Sequence, residues 1–193
     1  FKKLTDTTLR MAEGQVLELM HTNDWDISTD RYLEIVTAKT AVLISAACEC
    51  GAILSDAGNV REKGLSTFGL NTGIAFQLMD DLLDYTLSRE EFGKPVGKDL
   101  REGKITLPLI YALTELGKEE RKKLAERFVK GRAGKEDYRE VVEFVRESEA
   151  PRKVRERAKS YADAAAKALD VFHDSGPKRR LLELNDFVIE RSH

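Results

Sequence analysis

The chain has 193 residues, of which 41% are hydrophobic and 34% charged, with 13 glycines and only 4 prolines. That balance suits one globular domain with a sizeable core and excludes disordered, collagen-like and fibrous chains. With 32 Lys and Arg against 34 Asp and Glu, the net charge of −2 offers no basic excess that would point to nucleic acid or an anionic membrane surface.

Apolar spacing is helical almost everywhere, and no alternating run competes as a strand, so the expected fold class is all-α. The first helix runs from Leu4 to Met20, and a polar connector, His21 to Thr29, carries the only tryptophan, Trp25. Ser28 or Thr29 can cap a second helix through Tyr32, Ile35, Val36 and Leu43 towards Leu54. A turn at Asp56 to Asn59 precedes a long third helix, about Val60 to Thr86. The stretch from Ser88 to Asp99 reads as one long loop by its Gly and Pro content. Helical pattern resumes at Ile105 to Leu116, with Pro108 tolerable in the first turn. Three or four charged amphipathic helices follow, divided near Gly131 to Gly134, near Pro151 and at Ser175-Gly-Pro177. Their charges are expected to be solvated faces.

The longest apolar stretch, Ala41 to Cys48, is far shorter than the roughly 20 residues of a membrane-spanning helix, so no transmembrane segment is expected. Phe1 stands where an initiator Met would, and no apolar leader follows, so the start reads as cut. Cys48 and Cys50 point to different sides of a helix, which argues against a disulfide framework and for a reducing, cytoplasmic setting. His21, His173 and His193 are scattered without a carboxylate at catalytic spacing and are expected on the surface.

The chemistry concentrates in Gly73 to Tyr85. Gln77, Asp80, Asp81 and Asp84 fall at i, i+3, i+4 and i+7 and form one polar stripe on a helix that is otherwise apolar. Three carboxylates on a buried helix repel one another and lose hydration unless a cation compensates, so the stripe is expected to face a metal-holding cavity. Oxygen-only ligands suit Mg²⁺, which shares its shell with waters and substrate phosphates. The next segment supplies the opposite charge: Lys94, Lys98, Arg101 and Lys104, spaced by glycines that let backbone approach an anion. Lys39-Thr40 stands alone among apolar residues; Lys39 either snorkels or, if its helix lines the same cavity, points at a buried anion.

The run from Gly73 to Tyr85, with the later Gly-Lys-Pro-Val-Gly-Lys-Asp-Leu-Arg-Glu-Gly-Lys, resembles the second aspartate-rich region of trans-isoprenyl diphosphate synthases. Ala12 to Gln15, Tyr32 to Ala41 and Phe187 to Arg191 carry the resemblance across the chain. It implies a helical bundle of isoprenoid synthase type, of which residues 1–193 would be the C-terminal part of a single domain lacking its N-terminal helices. It further implies that Asp80, Asp81 and Asp84 hold Mg²⁺ on an allylic diphosphate, which Lys39, Lys94 and Lys104 contact. Thr40 and Gln77 would lie beside the developing allylic cation, and Lys39, Thr40, Gln77, Asp80 and Asp81 would form the catalytic set. The implied partners are an allylic prenyl diphosphate, isopentenyl diphosphate and a second copy of the chain, and the wording is nearest the long-chain, octaprenyl-type branch.

The family carries two facing aspartate-rich motifs, and only the second is present here; Asp24-Trp-Asp26 lies in a connector. The chain is therefore expected to be either the C-terminal part of a longer synthase or a separate, non-catalytic partner subunit. A helical Mg²⁺-dependent pyrophosphatase acting on nucleotides is the third reading of the same carboxylates and lysines.

Overall fold

The structure, a computed structural model, describes residues 1–86, 97–129 and 131–191. Among them there is no strand, and the elements run α1 (Lys2–Met20), α2 (Thr29–Val36), a π turn (Thr37–Ala41), α3 (Val42–Leu54), α4 (Asn59–Thr86), α5 (Lys98–Arg101), α6 (Leu107–Leu113), α7 (Lys118–Val129), α8 (Lys135–Glu147), α9 (Ala150–Ala168), a 3₁₀ turn (Leu169–Val171) and α10 (Gly176–Glu190). The expected long loop and Lys94 lie mostly or wholly outside the described residues. Its end, expected as loop, instead begins α5 at Lys98, behind Gly97 in the left-handed region at φ 73°.

α4 is the axis of the bundle. Phe68, Leu78, Met79, Leu82 and Tyr85 are buried along it; α3, α6, α9 and α10 pack on it, while α1 packs on α3 and the π turn. α6 is apolar on every side, so it has no solvent face to show; Leu107, Leu109 and Leu113 are fully buried between α4, α8 and α9. Each such leucine stabilises the fold by about 1.5–3 kcal/mol.

Ser28 caps α2 by accepting the Arg31 N–H at 3.2 Å, as the sequence suggested. The helix from Thr29 to Leu54 is not uniform, however. The Val42 N–H reaches back five residues to the Thr37 carbonyl, which makes Thr37–Ala41 a single π turn. Two glycines seat this turn. A Cβ on Gly14 of α1 would come within 2.7 Å of the Lys39 nitrogen, and one on Gly73 of α4 within 2.8 Å of the Ala41 Cα. Only glycine allows both helices to approach so closely.

By length and composition, Thr29–Leu54 is apolar enough to cross a membrane. Reading Ala41 to Cys48 alone did not anticipate this, because the apolar character extends to either side of it. In the fold the run packs between α1 and α4. The connector before it is likewise structural: Trp25 is buried against Phe128 at a ring separation of 4.9 Å, and its carbonyl accepts from the Arg121 guanidinium. At the other end, buried Asn185 accepts from Thr72 and donates to the Ala162 carbonyl, tying α10 to α4 and α9.

Candidate functional site

α1, α2, the π turn, α4 and the segment around Asp99 to Thr106 close round a cavity of about 90 Å³. Its apolar wall is Ile27, Ile35, Val36 and Ile105. Polar groups enter from four directions: Glu18 from α1, Lys39 and Thr40 from the π turn, Gln77 and Asp81 from α4, and Asp99 with Lys104 from beyond the loop.

The polar stripe of α4 divides into two rows, because residues four apart align better than neighbours 100° apart. Gln77 and Asp81 turn inward and Asp80 outward. Asp81 is 4% exposed, and both its oxygens are taken: Tyr32 donates to Oδ2 at 2.5 Å and the Gln77 amide nitrogen to Oδ1 at 2.7 Å. Thr40 extends the chain by donating to the Gln77 carbonyl oxygen at 3.1 Å. Asp80 is exposed. Asp84 is half-buried and ties the fold together, its carboxylate accepting the Lys98 and Asp99 N–H groups at 3.1 and 2.9 Å while its carbonyl accepts from Gly97. The expectation of three carboxylates sharing one buried face is thus corrected: each has a different environment.

Charge is compensated locally. Lys39 faces an anion, as one of its two readings required, but the anion is Glu18, whose oxygens lie 2.6 and 2.8 Å from the ammonium. Lys104 pairs with Glu102 at 2.6 Å and Asp99 at 3.6 Å. Burial alone would lower the Lys104 pKa, but Glu102, Asp99 and Glu18 outweigh it and raise the value. Burial, then the Asp99 charge, pushes Asp81 up to about 7; burial, then Asp84, pushes Asp99 up to about 6. Burial and the Asp81 carboxylate hold the Tyr32 hydroxyl well above its ordinary value.

Among the described residues, no three His, Cys, Asp or Glu side chains are grouped to hold a metal ion. The donor chemistry nonetheless fits Mg²⁺. Asp80, Asp84 and Asp99 are oxygen donors close enough that Asp80 and Asp84 both raise Asp99, an excess of negative charge that a cation would relieve. Mg²⁺ commonly takes one or two carboxylates and completes its shell with water and phosphate oxygens.

Three contributors escaped the sequence reading. Glu18 is one turn beyond Gly14, and a glycine at i−4 is a signal for the face of α1 that meets a neighbour. Tyr32 looked like core, and its hydroxyl partner lies 49 residues away. His21, expected on the surface without a partner, lines the cavity and contacts Asp24 at 2.6 Å. Lys94 falls outside the described residues.

Comparison with known proteins places this site in context. The family model described as polyprenyl synthetase matches residues 1–145. Octaprenyl diphosphate synthase of Escherichia coli K12 is 39% identical over 181 residues, covering 94% of this chain and 56% of that protein. Geranylgeranyl pyrophosphate synthase of Geoglobus acetivorans is 36% identical over 191 residues, covering 99% and 58%. The crystal structure of a polyprenyl synthase from Caulobacter crescentus, complexed with calcium and isoprenyl diphosphate, superposes with a TM-score of 0.92 at 39% identity, covering 100% of this chain and 58% of that one. The chain therefore spans just over half the length of these relatives.

Proposed function

The chain belongs to the polyprenyl synthetase family, and on that premise we propose that the polypeptide carrying it is a prenyltransferase, a trans-prenyl diphosphate synthase of octaprenyl type. It would condense isopentenyl diphosphate with an allylic prenyl diphosphate. The observation that carries this reading is the cavity itself: two lysines, a set of mutually repelling carboxylates and the neutral oxygens of Thr40 and Gln77 face one apolar wall. The calcium and isoprenyl diphosphate in the Caulobacter relative's structure support it.

Bound Mg²⁺ would neutralise the diphosphate as it leaves with the electron pair of the allylic C–O bond. Asp80 is the carboxylate open to the ion, and Asp84 keeps spare lone pairs beside it. Lys39 and Lys104 would hold diphosphate oxygens, each exchanging a protein carboxylate for the substrate anion; Lys94 completes the proposed anion-binding set. The Thr40 and Gln77 oxygens would face the electron-poor allylic carbon until the double bond of isopentenyl diphosphate attacks it and a proton is lost. Ile27, Ile35 and Val36 would exclude water from that carbon.

The family relationship and this arrangement do not favour a non-catalytic subunit. We also read Thr29–Leu54 as a bundle helix, because Lys39 and Glu49 within it are ion-paired to Glu18 and Lys3. The proposed assembly is a homodimer in the cytosol: Leu9, Val16 and Met20 stay exposed along one side of α1, and both cysteines are free.

Incubating the polypeptide with Mg²⁺, an allylic prenyl diphosphate and labelled isopentenyl diphosphate tests the proposal. Label should pass into elongated product, and Asp80→Ala should lower the rate about 10³-fold. Turnover unaffected by that substitution would overturn the assignment.

A further inference from the structure

We propose that Tyr32 and Asp81 are positioning residues that fix the orientation of the Gln77 side-chain amide, so that its carbonyl oxygen and the Thr40 hydroxyl oxygen are presented together to the cavity. The inference deepens the prenyl-transfer reading and rests on it.

An amide has two chemically opposite ends, and nothing in Gln77 itself selects which one meets the substrate. The selection comes from Asp81. Tyr32 donates to Asp81 Oδ2 at 2.5 Å, so with Asp81 ionised Oδ1 is an acceptor facing Gln77. An acceptor there takes the Gln77 NH₂ group, at 2.7 Å, and turns the carbonyl oxygen the other way, where Thr40 donates to it at 3.1 Å. Thr40 has one hydroxyl proton and spends it on that bond, so its lone pairs remain unblocked. Gln77 retains a second lone pair. Both side chains line the cavity.

The reversed amide would present N–H groups to Thr40 and to any positive charge forming in the cavity, which is electrostatically unfavourable. Tyr32 and Asp81 are each 4% exposed, so water does not readily replace either partner, and the direction of every bond in the chain is set from its buried end. Adjacent aspartates thereby take different roles, Asp80 open to a ligand and Asp81 acting through Gln77.

Among residues 1–193 the glutamines are Gln15 and Gln77, so ¹⁵N labelling of glutamine side chains, with each NH₂ signal assigned by its loss in Gln15→Glu or Gln77→Glu, compares Gln77 with exposed Gln15 as the internal reference. Hydrogen exchange at the Gln77 NH₂ should be at least about tenfold slower than at Gln15. Asp81→Leu should abolish that protection, and Tyr32→Phe should weaken it. In the prenyl-transfer assay, Tyr32→Phe should lower kcat about tenfold. The KM for the allylic diphosphate and the Mg²⁺ concentration for half-maximal rate should change less than about twofold. Asp80→Asn should instead shift the Mg²⁺ dependence.

Gln77 exchanging as fast as Gln15 in the unaltered protein would overturn the proposal. So would a Tyr32→Phe variant whose Mg²⁺ dependence moves as far as that of Asp80→Asn, since Asp81 would then be serving the metal. If the unaltered protein transfers no prenyl group, the functional reading falls, and exchange at Gln77 alone decides the amide's orientation.

Discussion

The two halves of the bundle use polar residues in opposite ways. From α1 to α4, the polar groups that matter are few and enclosed: Tyr32, Asp81, Gln77 and Thr40 share a single chain of hydrogen bonds, and Lys39 meets Glu18 with only 33% and 20% of their side chains exposed. From α7 to α10, ion pairs are numerous and open. Arg127 reaches Asp137 and Glu140, Arg152 reaches Glu149 and Glu156, and Arg180 reaches Glu183, whose side chains are 81% and 59% exposed. Water screens the second set, so each pair contributes little; desolvation makes the first set interdependent. The density of charge along the sequence therefore says less about chemistry than the depth at which a polar group lies.

The steepest test of this contrast is a substitution at the closest helix approach. Gly73→Leu drives a side chain into Ala41 and should destabilise the protein by about 3 kcal/mol, lowering the midpoint of thermal unfolding by about 6–12 °C. It should displace the π turn as well, which loss of affinity for inorganic pyrophosphate would report.

A smaller effect should follow pH. Asp81 and Asp99 have folded pKa values of about 7 and about 6 against an ordinary 3.8, so folding favours their protonated forms. Their contribution to stability is complete below pH 3.8 and is lost as pH rises through 6 and 7. The metal-free protein should therefore melt at a lower temperature at about pH 8 than at about pH 5.5, and Asp81→Asn should flatten that dependence. An unchanged slope would mean that Asp81 is ionised in the fold at both pH values.

The smallest effect belongs to the open half. Arg180→Ala, which removes an exposed pair, should move the melting midpoint by no more than about 1 °C. A larger shift would show that the outer ion pairs act as a network after all.

Much of the architecture was legible because apolar spacing in α1, α4 and α6 is dense and the stops are chemically explicit: Ser28 and Ser175 cap helices, and Pro108 and Pro177 open them. The carboxylate stripe was legible too, but its division was not. Sequence places Gln77, Asp80, Asp81 and Asp84 on one side of a helix, whereas the partners that distinguish them come from elsewhere. Tyr32 claims Asp81, and the returning chain at Lys98 and Asp99 claims Asp84. Charge compensation was expected from a metal and from the basic residues Lys94 to Lys104, yet hydrogen bonding and raised pKa values already accommodate part of it. The π turn left no trace in the periodicity, because one additional residue in a helix of 26 shifts the pattern less than side-chain variety obscures it.

That turn carries a consequence for how the sequence can change. A π turn is one residue inserted into an α-helix, so its flanks stay in phase with the helix that would exist without it. Deleting a single residue between Thr37 and Ala41 would let α2 and α3 join as a regular helix, with Tyr32, Ser45 and Ala46 still turned to their present neighbours. Lys39 and Thr40 would no longer both reach the cavity. The shortest edit that spares the architecture is thus one that dismantles the site, and it would leave a chain that still folds.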